Sequence, residues 1–185
     1  MGQSNFDSTI QIFADKNDLA TAAAQLFSFL ASQAVVSRGR FSVALSGGST
    51  PQALFSILAE PPYSTDLPWS SIHFFWGDER LVSPDDPGSN YYHAAKLLLD
   101  HVPIPLANIH RVKGELSTQD AVQDTIEQLQ SFANEGCTWP RFDLVLLGMG
   151  SDGHTASLFP GSPGVEQEGV MVKSVTAVYE NRPAQ

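Results

Sequence analysis

With 185 residues the chain has room for one α/β domain with a proper core, and its 42% apolar content is ordinary for a globular protein. Twenty acidic residues against ten basic ones give a net charge of −10, and no Lys/Arg cluster offsets it, so nucleic acid is excluded as a partner. The single Cys137 excludes an internal disulfide and argues against a cysteine-based metal site. No apolar run approaches the ~18 residues of a membrane span, and polar residues 3–9 lack the order of a signal peptide. A cytoplasmic protein without membrane contact is the expectation.

In chain order, residues 9–14 read as a first strand. Asn17 or Asp18 can cap a helix running to about Val36, with Leu19, Ala23, Leu26, Leu30 and Ala34 along one stripe and Gly39 closing it. Residues 41–45 form a strand, 46–50 a turn, and Pro51 starts a helix to about Ala59. A strand over 72–76 leads through a long loop, 77–88, to a helix over about 89–101. A short strand at 109–112 precedes a helix over about 118–134, with Val122, Ile126, Leu129 and Ala133 on one face. Residues 142–147 and 170–179 are further strands. The alternation predicts an α/β fold, a mostly parallel sheet with helices on both faces. In such folds ligands sit beyond the carboxyl ends of the strands, and three strands here end in loops rich in chemistry.

The first loop is Ser46-Gly47-Gly48-Ser49-Thr50-Pro51. Its glycines and the helix start behind it can expose backbone N–H groups to a phosphate or sugar hydroxyls. Two other readings stay open: a plain strand-to-helix turn, and a nucleophile elbow built on Ser46. The absence of a P-loop lysine disfavours a nucleoside triphosphate. The second loop opens with Trp76-Gly77-Asp78-Glu79-Arg80. Arg80 can bind phosphate through two parallel hydrogen bonds, and Asp78 can accept sugar hydroxyls or orient a water; a solvated charged turn is the plain alternative. Ser89 suits a helix cap, and Asn90 is a lesser ligand candidate.

The third loop is the most informative. Gly148-Met149-Gly150-Ser151-Asp152-Gly153 matches the dinucleotide pattern G-x-G-x-x-G, with Glu168 about 20 residues on. Pro160, Gly161, Pro163 and Gly164 cut off the helix that a pyrophosphate site requires, and no second strand ends in the acidic residue. Asp152 and His154 instead read as a catalytic pair, the carboxylate orienting a histidine whose ordinary pKa suits proton transfer. His73, His93, His101 and His110 lack metal-ligand spacing and read as structural.

Taken in order, these three loops, with the run from Thr155 through Gly161, resemble 6-phosphogluconolactonases, which share a fold with glucosamine-6-phosphate deaminases. Thr155-Ala156-Ser157-Leu158-Phe159-Pro160 favours the lactonase over the deaminase, and a non-catalytic sugar-phosphate sensor is the third reading. The resemblance implies hydrolysis of 6-phospho-D-glucono-1,5-lactone without metal or organic cofactor. It makes His154 the general base with Asp152 orienting it, and Gly47, Gly48, Ser49, Thr50 and Arg80 the holders of substrate phosphate and hydroxyls; the loop chemistry adds Asp78 and Asn90 to the substrate-binding set. It also implies a sugar-phosphate substrate as partner and a single domain over 1–185 that stops short of a further strand and helix; the oligomeric state is left open by the sequence, with a monomer as the expectation.

Overall fold

The computed structural model describes residues 8–162, 165 and 169–176. Four parallel strands form one sheet: β1 (Phe41–Leu45), β2 (Ile72–Trp76), β3 (Ile109–His110) and β4 (Leu144–Val145), in the spatial order β3-β2-β1-β4. Every residue of β1 is buried, as expected of a strand covered on both faces. Phe41, Val43, Leu45, Ile72, Phe74 and Trp76 point to the larger core, under α1 (Lys16–Arg38), α2 (Ser49–Leu58) and α4 (Asn90–Leu97). Ala44 and Phe75 point the other way and meet Phe132 of α5 (Thr118–Phe132). The predicted parallel sheet with helices on both faces is therefore the observed one. A short helix, α3 (Tyr63–Asp66), had no sequence signal.

Several local expectations are corrected. Residues 8–14 form no strand: Ile10 and Ile12 are almost fully exposed, because strand propensity yields a strand only where a partner strand lies alongside. The cap of α1 is Asp15, whose carboxylate accepts from the N–H groups of Asn17 and Asp18 at 2.8 and 2.9 Å. The inner stripe of α1 is Ala20, Ala24, Phe27, Ala31 and Ala34, one position round from the expected leucines. Alanines let the helix lie close to the sheet, and Leu26 and Phe29 are left more than half exposed. By length and composition α1 is apolar enough to cross a membrane, contrary to the expectation from uninterrupted runs; here its inner face is buried in the larger core.

Ser89 caps α4 through the Tyr92 N–H at 3.1 Å, as expected, but the helix ends at Leu97 and a 3₁₀ turn covers Leu99–His101. The fourth strand is shorter than expected, although its ladder continues through Asp143 N–H to Ser42 O and Leu146 N–H to Ala44 O, both at 2.9 Å. Residues 170–176 carry no regular structure, and the rest of the expected last strand, 177–179, lies outside the described residues.

The strand order puts a switch point between β1 and β4: from β1 the chain steps one way to β2 and β3, then returns to β1's other side. Connections leaving two such strands diverge, which opens a crevice at their carboxyl ends. The Ser46 loop and the Gly148 loop flank that crevice.

Candidate active site

The loop after β1 enters α2 at Ser49. Gly48 is the residue before the first turn, and no side chain caps it, so neither Ser49 nor Thr50 serves as the expected cap. Pro51 is the third helical residue rather than the first, a place where its missing N–H also breaks no intrahelical bond. No side chain covers the N–H groups of the first turn, at the positive end of the helix, and Gly48, Ser49 and Thr50 are exposed around it. The Ser46 hydroxyl is 3.3 Å from the adjacent Gly47 carbonyl and donates to it. A serine held that way is not set up as the nucleophile of an elbow.

Gly47 meets the second loop. A Cβ on it would fall 2.0 Å from Asn90 Oδ1, so only glycine lets the buried Asn90 side chain lie against this turn. Asn90 Nδ2 donates to the Asp78 carbonyl at 2.9 Å, with the Asp78 carboxylate at 3.4 Å. The other Asp78 oxygen accepts from the Ser157 hydroxyl at 2.9 Å, across 79 positions of sequence. The loops after β1, β2 and β4 are thus joined through Gly47, Asn90, Asp78 and Ser157. Arg80 Nη1 donates to the Gly88 carbonyl at 3.0 Å, closing the 77–88 loop on itself.

The loop after β4 folds tightly: Gly150 N–H donates to His154 O at 2.8 Å, and Gly153 N–H to Gly150 O at 3.0 Å. The His154 ring occupies the space a side chain at Gly150 would need, since a Cβ there would fall 2.2 Å from it. Asp152 Oδ1 lies 2.5 Å from His154 Nδ1, and the Phe159 ring packs 5.0 Å from the imidazole. A carboxylate on Nδ1 holds the proton there and makes Nε2 the basic nitrogen. No helix follows this loop before residue 162, which removes the dinucleotide reading; Glu168 lies outside the described residues. Ala156, at φ 49°, holds a left-handed conformation that costs a non-glycine residue about 1–2 kcal/mol, and such strain is concentrated at functional loops.

A profile of the glucosamine-6-phosphate isomerase/6-phosphogluconolactonase family matches residues 14–185. The chain belongs to this family. It is 46% identical over 130 residues to the 6-phosphogluconolactonase of Haemophilus influenzae, covering 70% of this chain and 54% of that protein. The chain thus spans about half the length of the curated relatives it matches. The crystal structure of devB protein superposes with a TM-score of 0.81 at 36% identity, over 94% of this chain and 70% of that one. The 6-phosphogluconolactonase of Trypanosoma brucei superposes at 0.79 and 29% identity, over 97% and 75%. Membership in the lactonase/isomerase family accounts for the shared α/β sheet. Among the described residues no group of three His, Cys, Asp or Glu side chains is placed to hold a metal ion.

Two residues of the site had no assigned role in the sequence reading. Ser157 stood inside the quoted motif without a function, and Glu79 beside Asp78 without a partner. The second had a signal: an extra acid at a strand end, shortly before a helix start whose N–H groups favour an anion.

Proposed function

We propose that this chain carries the hydrolytic site of a 6-phosphogluconolactonase, opening 6-phospho-D-glucono-1,5-lactone to 6-phosphogluconate, in the cytoplasm. The observation that carries the reading is the Asp152–His154 pair at the β1/β4 crevice, with Nδ1 held by the carboxylate. His154 Nε2 takes a proton from water as the water oxygen adds to the lactone carbonyl carbon. The bond from that carbon to the ring oxygen then breaks, and the imidazolium returns its proton to the departing oxygen. The uncapped first turn of α2, with Gly47, Gly48, Ser49 and Thr50, receives anionic oxygen of the substrate, while Asp78 and Arg80 bind from the loop after β2 and Asn90 from the start of α4. The similarity to proteins named 6-phosphogluconolactonase supports the same reading.

Lactone hydrolysis followed by proton release, with spontaneous opening subtracted, tests it. The unmodified chain should exceed the spontaneous rate, and His154→Ala should lower kcat by about 10²–10⁴-fold while product binding is kept. Near-normal kcat in His154→Ala would refute the assignment. Ser46→Ala should turn over normally.

A further inference from the structure

Glu79 is a charged group that the proposed chemistry leaves unused. Its carboxylate collects four hydrogen bonds. The N–H groups of Arg80 and Asn90 donate to Oε1 at 2.7 and 2.8 Å; the Tyr91 N–H and the Ser89 hydroxyl donate to Oε2 at 2.8 and 3.1 Å. Arg80 stands at the start of the loop after β2, whereas Ser89, Asn90 and Tyr91 are the cap and first turn of α4. Ser89 caps that helix through the Tyr92 N–H alone, so the Asn90 and Tyr91 N–H groups of the first turn need another acceptor, and Glu79 supplies it. Burial pushes the Glu79 carboxyl up from its ordinary value, and the donors from Arg80, Asn90, Tyr91 and Ser89 oppose the push. A desolvated carboxylate is costly unless its hydrogen bonds are satisfied, and this one is anchored on both sides of the loop.

We infer that Glu79 is a positioning residue, an internal anion that clamps the first turn of α4 to the end of β2. The clamp sets the Asn90 side chain against Asp78 and Gly47 and fixes the backbone of Arg80. Its kinetic consequence rests on the lactonase reading, whereas the clamp itself stands on these contacts. The charged groups beside it are Asp78 and Arg80 in the loop, and Arg111 lies 5.6 Å over the Tyr91 ring.

Nitrogen-15 NMR of the full chain tests the clamp without substrate. On acidification the Arg80, Asn90 and Tyr91 amides and the Asn90 side-chain amide should shift together, with one midpoint above the ordinary 4.5. In Glu79→Gln that common transition should vanish, and exchange at the three backbone amides should rise about tenfold. Val43 and Phe75, in the paired strands, should keep their protection. In the hydrolysis assay KM should rise about tenfold with kcat within about twofold.

The inference is overturned if the four signals titrate separately, or if the Asn90 side-chain amide is unchanged in Glu79→Gln. Loss of protection at Val43 and Phe75 would make Glu79 a determinant of the fold instead, and a fall in kcat at constant KM would place it in the chemistry. If the unmodified chain opens no lactone, the functional reading falls, and the spectra alone decide the role of Glu79.

Discussion

At the scale of single residues, the site depends on side chains entering space that glycine leaves open. Asn90 lies where a Cβ of Gly47 would be, and its buried amide then ties Asp78 into the same network. Gly47→Ala should force Asn90 out of its place. The expected result is a KM raised about tenfold and a stability loss of about 1–3 kcal/mol, the range for overpacking, read by kinetics and urea unfolding. An unchanged KM would show that Asn90 does not serve the substrate. The contact between Asp152 and His154 was legible in the sequence because it is local. Two residues apart on a glycine turn, they need no distant element to meet. Ser157 and Glu79 were not legible as partners, since Ser157 meets Asp78 across 79 positions and Glu79 meets Tyr91 across 12.

At the scale of elements, β4 is held in register by Asp143. Its carboxylate accepts from the Ser42 N–H at 2.7 Å and the Ser42 hydroxyl at 3.0 Å, and it pairs with Arg38 at the end of α1. This clip places the strand from which the His154 loop departs. Asp143→Ala should cost about 1–3 kcal/mol in urea unfolding, because the buried Ser42 N–H loses the carboxylate that accepts from it. A variant as stable as the parent would show that the strand ladder alone sets the register. Element type was readable here: a short apolar run bounded by turn residues is a buried strand, and β1 and β2 fall where expected. The inner face of α1 was not readable. Leucines and alanines both repeat at helical spacing along it, and only the close approach to the sheet selects the alanine side.

At the scale of the whole molecule, the smaller core contains a histidine pair that makes stability depend on pH. His73 Nδ1 and His110 Nε2 are 3.0 Å apart across β2 and β3, His110 stacks on Phe75 at 4.3 Å, and Phe132 of α5 lies against both rings. Burial, and then the neighbouring His73, lower the pKa of His110 to about 4 from 6.5; burial, and then Arg40, lower that of His73. Protons are then taken up by the unfolded chain before the folded one. The stability from neutral histidines is complete above about 6.5 and is lost as pH falls towards about 4. Glu79 acts in the opposite sense, because the folded chain keeps its proton at higher pH than the unfolded one. Urea midpoints for the parent and for His110→Phe, which keeps the stacking, separate the two. The variant should lose much of the acid-side decline, and an identical decline would assign it elsewhere.

The sequence by itself determined the parallel α/β class, the three chemical loops and the Asp152–His154 pair. Strand burial, glycine turns and caps depend on residues close together in the chain. Only the tertiary structure decided which face of α1 is buried, that residues 8–14 form no strand, and that Gly47, Asn90, Asp78 and Ser157 join the loops. Those outcomes depend on which surfaces, distant along the chain, meet in the folded molecule, and neither propensity nor periodicity carries that information.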